Sequence, residues 1–265
     1  LARAVDCVEY AKDNGLYVTY SAEDSTRTEL SFLLKVFKTL IDRGIDCPRI
    51  VDTLGIGTPK TMSTYVSAVK ELTSLPLEVH CHDDHGMAVA NSIAAFEAGA
   101  SVISTAVNGL GERAGIAPTE EVIMALHNLY GIHDFRTKGL YNLCKFVEKV
   151  SGIVIPAGKP VSGENVFCHV SGIHQAAILK HTITYEPYPP EIIGRKRTFI
   201  LGKLSGSHAV EAKLKEYGIL VSRNELEKIT RKVKALSEVR KSAITDNEFL
   251  HLVEDLLGRK IVESS

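Results

Sequence analysis

The feature that most constrains this chain is a repeated alternation of short apolar runs with longer amphipathic segments. Residues 16–21 (LYVTYS), 49–52 (RIVD), 77–81 (LEVHC) and 102–107 (VISTAV) read as strands, and each is followed by helical apolar spacing. The spacing predicts a helix over 28–43 with Phe32, Val36, Phe37 and Leu40 inward and Gly44 at its end. Thr58-Pro59 opens the next helix with an N-cap hydroxyl and Pro at the first helical position, ahead of a stripe of Met62, Tyr65, Val66, Val69 and Leu72. Helices over 86–98 and Thr119–Leu129 complete the series. Strand-then-helix units at intervals of roughly 25–30 residues require a parallel sheet, because parallel strands need a crossover element between them. An open doubly wound sheet and a closed (β/α)8 barrel both satisfy this pattern, and four units make half a barrel.

The rhythm has limits at both ends. Leu1–Asn14 opens without Met and falls directly into helical spacing, with Val5, Val8 and Ala11 on one face and Gly15 as a stop, as in a chain cut inside a larger protein. After residue 132 the alternation breaks, giving three expected regions: a partial barrel over 1–132, a linker and subdomain over 133–207, and a helical subdomain over 208–265. The last region carries two capping boxes, Ser222-x-x-Glu225 and Thr245-x-x-Glu248, each preceding an apolar stripe. Lys and Arg number 31 against 32 Asp and Glu, leaving no basic excess to neutralise phosphates and arguing against a nucleic-acid partner. No run is long and apolar enough to span a membrane. Cys7, Cys47, Cys81, Cys144 and Cys168 are scattered without a C-x-x-C, and no signal-like segment opens the chain, as expected of reduced thiols in a cytoplasmic protein.

The chemistry concentrates at the predicted strand ends. His80-Cys81-His82-Asp83-Asp84-His85-Gly86 closes the third strand, and residues two apart on a strand share a face. His80 and His82 therefore present paired imidazoles, a start for a metal site that a carboxylate would complete, while Cys81 points away and packs. A His-rich strand end that only caps a helix is the plainer alternative. The other strands run into EDSTR (23–27), DTLG (52–55) and NGLGERAG (108–115), so polar residues line one rim, where parallel α/β folds bind ligands. Gly109-x-Gly111 is read as a loop that lets backbone approach a ligand. His127, His133, His208 and His251 lack a spaced partner and are expected to be solvated or locally bonded, His85 to open a helix and meet a ligand or solvent, and Cys168 to pack. Arg195-Lys196-Arg197 reads as a solvated loop or a phosphate contact.

HCHDDHGMAVANSIAAFEAGA followed by VNGLGERAG, with EDSTR and DTLG upstream and SGIH, TYEP, GRKR and LGKLSG downstream, resembles the homocitrate synthase and 2-isopropylmalate synthase family over essentially the whole chain. The resemblance implies a TIM barrel that joins acetyl-CoA to a 2-oxo acid held by a divalent metal, Zn, Mn or Mg. On that basis His80 and His82 are metal ligands with Asn108 in or near the coordination shell and the substrate. Thr53 holds the oxo-acid carboxylate, and Glu23 is an active-site carboxylate. His174 and Tyr185 reach over the barrel mouth from a neighbouring subunit of a homodimer, His174 as the base that takes a proton from the acetyl methyl group. Arg195-Lys196-Arg197 and His85 are the residues nearest in character to a CoA contact. The Arg-Asp-Gly type motif that the family carries on its first strand, with the third protein ligand, does not occur here. The fold class implied is therefore α/β, the C-terminal half of a (β/α)8 barrel followed by small, mostly helical subdomains.

Ile116, where isopropylmalate synthases usually have Asn, and the lack of a leucine-sensing domain after residue 265 lean toward 2-oxoglutarate as substrate and homocitrate as product. Isopropylmalate, citramalate and citrate synthesis remain alternatives on the same scaffold. A metal-dependent TIM-barrel hydrolase is an alternative of another class, although it would carry His-x-His on its first strand.

Overall fold

The computed structural model describes residues 1–169, 177–178, 180–199 and 201–258, and the chain divides into two compact units, Leu1–Ile155 and Pro156–Ser265. The first unit begins with helix α1 (Ala2–Asp13) and continues β1 (Thr19–Ala22), α2 (Leu30–Asp42), β2 (Cys47–Asp52), α3 (Pro59–Lys70), β3 (Glu78–Cys81), α4 (Ala88–Glu97), β4 (Val102–Ser104), α5 (Thr119–Tyr130) and α6 (Leu140–Ser151). The four strands form one sheet in the order β1-β2-β3-β4, every pair parallel, as the strand-then-helix rhythm requires. No helix among the described residues is long and apolar enough to cross a membrane.

The two sheet faces differ in kind. Ala22, Ile50, Val79 and Cys81 point into the main core with Leu33, Phe37, Met62, Val66, Val69, Ala88, Ala95 and Val122 from the helices. The opposite face carries Ser21, Arg49, Glu78, His80 and Ser104, aligned across the strands by the register Ser21↔Arg49↔Glu78 and Val51↔His80↔Ser104. Full burial of residues such as Ile50, Val79, Phe37 and Met62 supplies the cohesion, at about 1.5–3 kcal/mol for each large apolar side chain.

Helix starts follow the sequence closely. Thr58 Oγ1 accepts from Thr61 N at 3.2 Å with Pro59 in the first turn. Strand ends shift for local reasons. The first strand begins at Thr19 instead of residue 16, because Asp46, paired with Lys12 at 2.8 Å, accepts from Val18 N at 2.6 Å and fixes where the chain enters the sheet. The fourth ends at Ser104 and not 107, because the chain turns through Val107–Gly109 into the loop before α5. In α2, Leu33, Val36, Phe37 and Leu40 are buried whereas Phe32, expected inward, is 53% exposed.

The loop from Asn108 to Gly115 packs backbone against backbone. A Cβ on Gly115 would lie 1.8 Å from Gly109 O, and one on Gly111 would lie 3.2 Å from Gly115 Cα. These glycines serve the approach of backbone to backbone. The loop closes on itself.

The second unit contains a short parallel pair, β5 (Cys168–His169) with β6 (Thr198–Phe199), and the helices α7 (Ser207–Glu216), α8 (Arg223–Arg240) and α9 (Asp246–Leu257). Both capping boxes form at α8 and α9. Val210, Leu214, Ile229, Val233, Phe249 and Val253 make a separate core. The expected boundary at 132 moves to 155, since α6 belongs to the first unit: Cys144 is buried there and its carbonyl accepts from Asn108 Nδ2 at 2.9 Å. Likewise 156–207 and 208–258 fall in one unit. Neither reading of Arg195-Lys196-Arg197 holds for its two arginines. Arg195 is buried and donates to Gly163 O at 2.6 Å, and Arg197 binds both oxygens of buried Glu186, at 2.6 and 2.5 Å.

Gly115→Ala should cost at least about 2–4 kcal/mol, because it combines left-handed strain with a backbone clash. Gly86→Ala, at φ +69° with open space around the new methyl group, should cost only about 1–2 kcal/mol. Denaturant unfolding of both variants checks this, and equal losses would show that the loop relaxes freely.

Candidate functional site

The polar sheet face is a ladder of side chains bonded across strands in register. Arg49 Nη1 donates to Ser21 Oγ at 3.1 Å and its Nη2 to Glu78 Oε2 at 2.7 Å. One pleat further along, His80 Nδ1 meets Ser104 Oγ at 2.9 Å. With Nδ1–H donating to Ser104, the His80 lone pair sits on Nε2.

That atom faces its counterpart. His80 Nε2 and His82 Nε2 are 3.3 Å apart, with ring planes at 69°. Two nitrogens each about 2.1 Å from one cation and subtending roughly 90–109° would be about 3.0–3.4 Å apart, so the pair has the separation of adjacent ligands. Burial, then the neighbouring His82 and Arg49, push the His80 imidazole below its ordinary pKa, favouring the neutral form that binds metal. His82 Nδ1 is buried with no partner. No cluster of three or more His, Cys, Asp or Glu able to hold a metal occurs among the described residues. The donor set is thus a two-nitrogen start. Burial pushes the Cys81 thiol up to about 12, consistent with packing and not ligation.

Thr53 lies in the turn after β2, built around Asp52. The Asp52 side chain, wholly buried, accepts from Thr26 Oγ1 at 2.8 Å, Ile56 N at 3.2 Å and Gly57 N at 3.0 Å. Thr53 Oγ1 accepts from Asp24 N at 2.7 Å, where Asp24 is left-handed at φ 59°. That bond joins the β1 and β2 loops and leaves the threonine proton to donate elsewhere. Glu23, beside Asp24, is exposed at the end of β1. The β3 and β4 loops join the same network. His85 Nδ1 donates to Gly55 O at 2.8 Å, Asp83 N donates to Gly115 O at 3.0 Å, and Arg113 bonds both Asp84 and Thr53 O. The helix-cap alternative is also partly realised, since Asp83 Oδ1 accepts from Ala88 N at 2.8 Å at the start of α4.

Asn108 is left-handed at φ 60° and firmly held: its N donates to Glu120 Oε2 at 3.0 Å and its Nδ2 to Cys144 O, leaving Oδ1 buried without a partner. Tyr185 is in the second unit, 46% exposed after the turn Thr182–Thr184 and next to buried Glu186. Burial alone would raise the Glu186 pKa, but bonds from Arg197 and His169 outweigh it and hold it low. His174 lies outside the described residues. Sequence reasoning missed Asp52, Arg113, Ser104 and Glu120. An acid at a strand end ahead of Thr-Leu-Gly-x-Gly was the available sign for Asp52, because clustered backbone N–H groups there need an acceptor. His127 and His133, expected to be solvated or locally hydrogen-bonded, bond each other at 3.1 Å.

Known proteins match the chain in both units. Homocitrate synthase AksA of Methanopyrus kandleri is 49% identical over 258 residues, covering 97% of this chain and 65% of that protein. The AksA of Methanocaldococcus jannaschii is 47% identical, covering 98% and 64%, and 2-isopropylmalate synthase of the same organism is 44% identical, covering 97% and 50%. The chain spans about half to two thirds of the length of these relatives. Among solved structures, hydroxymethylglutaryl-CoA lyase of Pseudomonas aeruginosa superposes with a TM-score of 0.53 at 22% identity, covering 61% of this chain and 57% of that one. HMG-CoA lyase of Bacillus subtilis does so at 0.52 and 20% identity, covering 58% of each. These likenesses establish a shared α/β fold. Residues 161–241 match the homocitrate synthase post-HMGL domain-like family. With residues 1–148 matching the HMGL-like family, more than half of its length, this chain belongs to the HMGL-like family.

Proposed function

We propose that the intact protein condenses acetyl-CoA with a 2-oxo acid, and that 2-oxoglutarate is the acceptor, giving homocitrate. The observation that carries the reaction class is the convergence of His80 Nε2 and His82 Nε2 at 3.3 Å on the polar rim of the sheet. His80 and His82 would hold a divalent metal, which when bound would supply Lewis-acid polarisation of the acceptor's oxo group. Thr53 donates its hydroxyl proton to the acceptor carboxylate, its oxygen already engaged by Asp24 N. Glu23 lines the same rim, and Asn108 Oδ1 is the unpaired oxygen nearest in character to a further ligand. His174, with a neighbour such as Tyr185 or Glu23 to poise it, takes the proton from the acetyl methyl group, the new carbon–carbon bond forms, and water then releases CoA from the thioester.

The four-stranded sheet is, in this reading, half of a (β/α)8 barrel. Two features support it: β1 and β4 each pair on one side only among the described residues, and the ladder Ser21-Arg49-Glu78 is what a barrel would enclose. A carboxylate from an element beyond this sheet completes the metal site. HMGL-like membership favours condensation over the hydrolase reading. The relatives carry both homocitrate and isopropylmalate synthase names, so the choice of acceptor rests on Ile116, which is buried against the Gly109–Gly115 loop. Turnover assays with 2-oxoglutarate, 2-oxoisovalerate and pyruvate decide it. Faster reaction with either of the latter two replaces the acceptor, and thiol release with none overturns the reaction class.

His80→Ala and His82→Ala should each weaken binding of Zn or Co ions by at least about a hundredfold, since loss of an outer-shell partner alone costs 10–100-fold. Metal titration of the intact protein reads this independently of turnover, and unchanged affinity in both variants would remove the assignment. Thr53→Val should raise the KM for the oxo acid about 10- to 150-fold, the worth of one hydrogen bond to a charged group at roughly 1.5–3 kcal/mol, and leave the KM for acetyl-CoA nearly unchanged. Equal effects on both substrates would count against it.

The protein also acts, in this proposal, as a homodimer in which the segment 166–190 places His174 and Tyr185 over the partner's barrel. Phe167 and Ile178, apolar residues of that segment, are buried within their own chain, so Tyr185 and His174 would carry the contact. Mixing inactive His82→Ala and His174→Ala proteins under subunit exchange should restore about a quarter of wild-type activity, since half the dimers are mixed and each has one intact site. Demonstrated exchange without recovery would place each site within one chain.

A further inference from the structure

Arg113 has no role in the chemistry above, yet its guanidinium joins three loops of the rim. It sits at φ +56°, a left-handed conformation that costs an ordinary side chain about 1–2 kcal/mol and persists only where surrounding contacts demand it. Its Nε donates to Asp84 Oδ1 at 2.8 Å, and its Nη2 to Asp84 Oδ2 at 2.9 Å and to Thr53 O at 2.6 Å. One guanidinium therefore joins the loops that follow β2, β3 and β4. Exposed ion pairs are usually worth little, but this one is bidentate and carries a third bond to a main-chain carbonyl.

The position of Asp84 is itself fixed. It lies over Gly55 so closely that a Cβ there would be 2.7 Å from Asp84 N and 2.9 Å from its Oδ2. Arg113 thus stands on a rigid base and holds the carbonyl side of Thr53, while Asp24 N holds the hydroxyl oxygen at 2.7 Å. Held at both ends, Thr53 keeps its Oγ1 in one place, and the bond from Asp24 N removes one of the three staggered positions its proton could take.

We infer that Arg113 is a positioning residue that fixes the direction in which the Thr53 hydroxyl donates to the carboxylate of the acceptor acid. The inference rests on the condensing-enzyme reading and its assignment of Thr53. Lysine cannot replace it, because a single ammonium lacks the planar fork that engages Asp84 and Thr53 O together.

The test is steady-state kinetics on the intact protein with Arg113→Lys, Asp84→Asn, Thr53→Val and the double variant Arg113→Lys/Thr53→Val. Arg113→Lys should raise the KM for the oxo acid roughly tenfold, at the low end for a lost hydrogen bond to a charged group, with kcat within about threefold and the KM for acetyl-CoA unchanged. Asp84→Asn, which keeps the shape of the pair and guards against a folding defect in the first variant, should shift the same KM in the same direction by less. In the Thr53→Val background, Arg113→Lys should add less than about threefold, because a residue that acts through another loses its effect when the other is gone. Multiplicative losses, or parallel increases in both KM values, overturn the inference alone. Wild-type protein that turns over no 2-oxo acid overturns the condensing-enzyme reading, and the inference with it.

Discussion

The Asp52 carboxylate is the interaction on which the rim depends. It closes β2 by accepting from Thr26, Ile56 and Gly57, so one side chain ties the β1 loop to the turn that leads into α3. A wholly buried carboxylate is tolerated only when such bonds replace its water shell, and here the donors are mostly backbone N–H groups that would otherwise go unmet. Gly57 lies against it without a side chain, since a Cβ would come 2.9 Å from Asp52 Oδ2. Asn91 of α4 donates to Gly57 O at 2.9 Å, carrying the same arrangement into the helix layer.

Around this hub the four loops interlock through backbone. Gly55 takes the weight of Asp84, Gly115 lies on Gly109, and His85 and Arg113 reach back to the carbonyls of Gly55 and Thr53. The imidazole pair is carried differently, on the rigid end of β3 and braced by Ser104 from β4. In the proposed reading, metal ligands at a strand end and substrate contacts on interlocked loops would be a division suited to a site that must fix one group and admit another.

Much of this was legible from residue order. Alternation of period two carried from 77–81 into residue 82 placed His80 and His82 on one face and Cys81 in the core, and the structure has them so. The Thr58-Pro59 start and both capping boxes depend on residues within one turn of each other, and all three formed. What failed needed knowledge of neighbours. Phe32 satisfies helical spacing as well as Leu33 does, and only the position of the sheet decides which is covered. That Gly111 makes room for Gly115, and Gly109 for Ile116 O and Pro118, shows only once the loop is folded. Arg195 and Arg197 read as surface charge until Gly163 and Glu186, distant in sequence, came to meet them.

The sequence by itself therefore determined the parallel α/β plan, the helix starts and the side-by-side imidazoles, because periodicity and capping act over a few residues. Tertiary structure decided where the strands end, which unit α6 joins, and how Asp52, Arg113 and Ser104 support the site. Most of those depend on contacts between segments some 24 to 60 residues apart, such as His80 with Ser104 and Arg113 with Thr53. Such contacts are set by sheet register and loop packing, which no local pattern encodes.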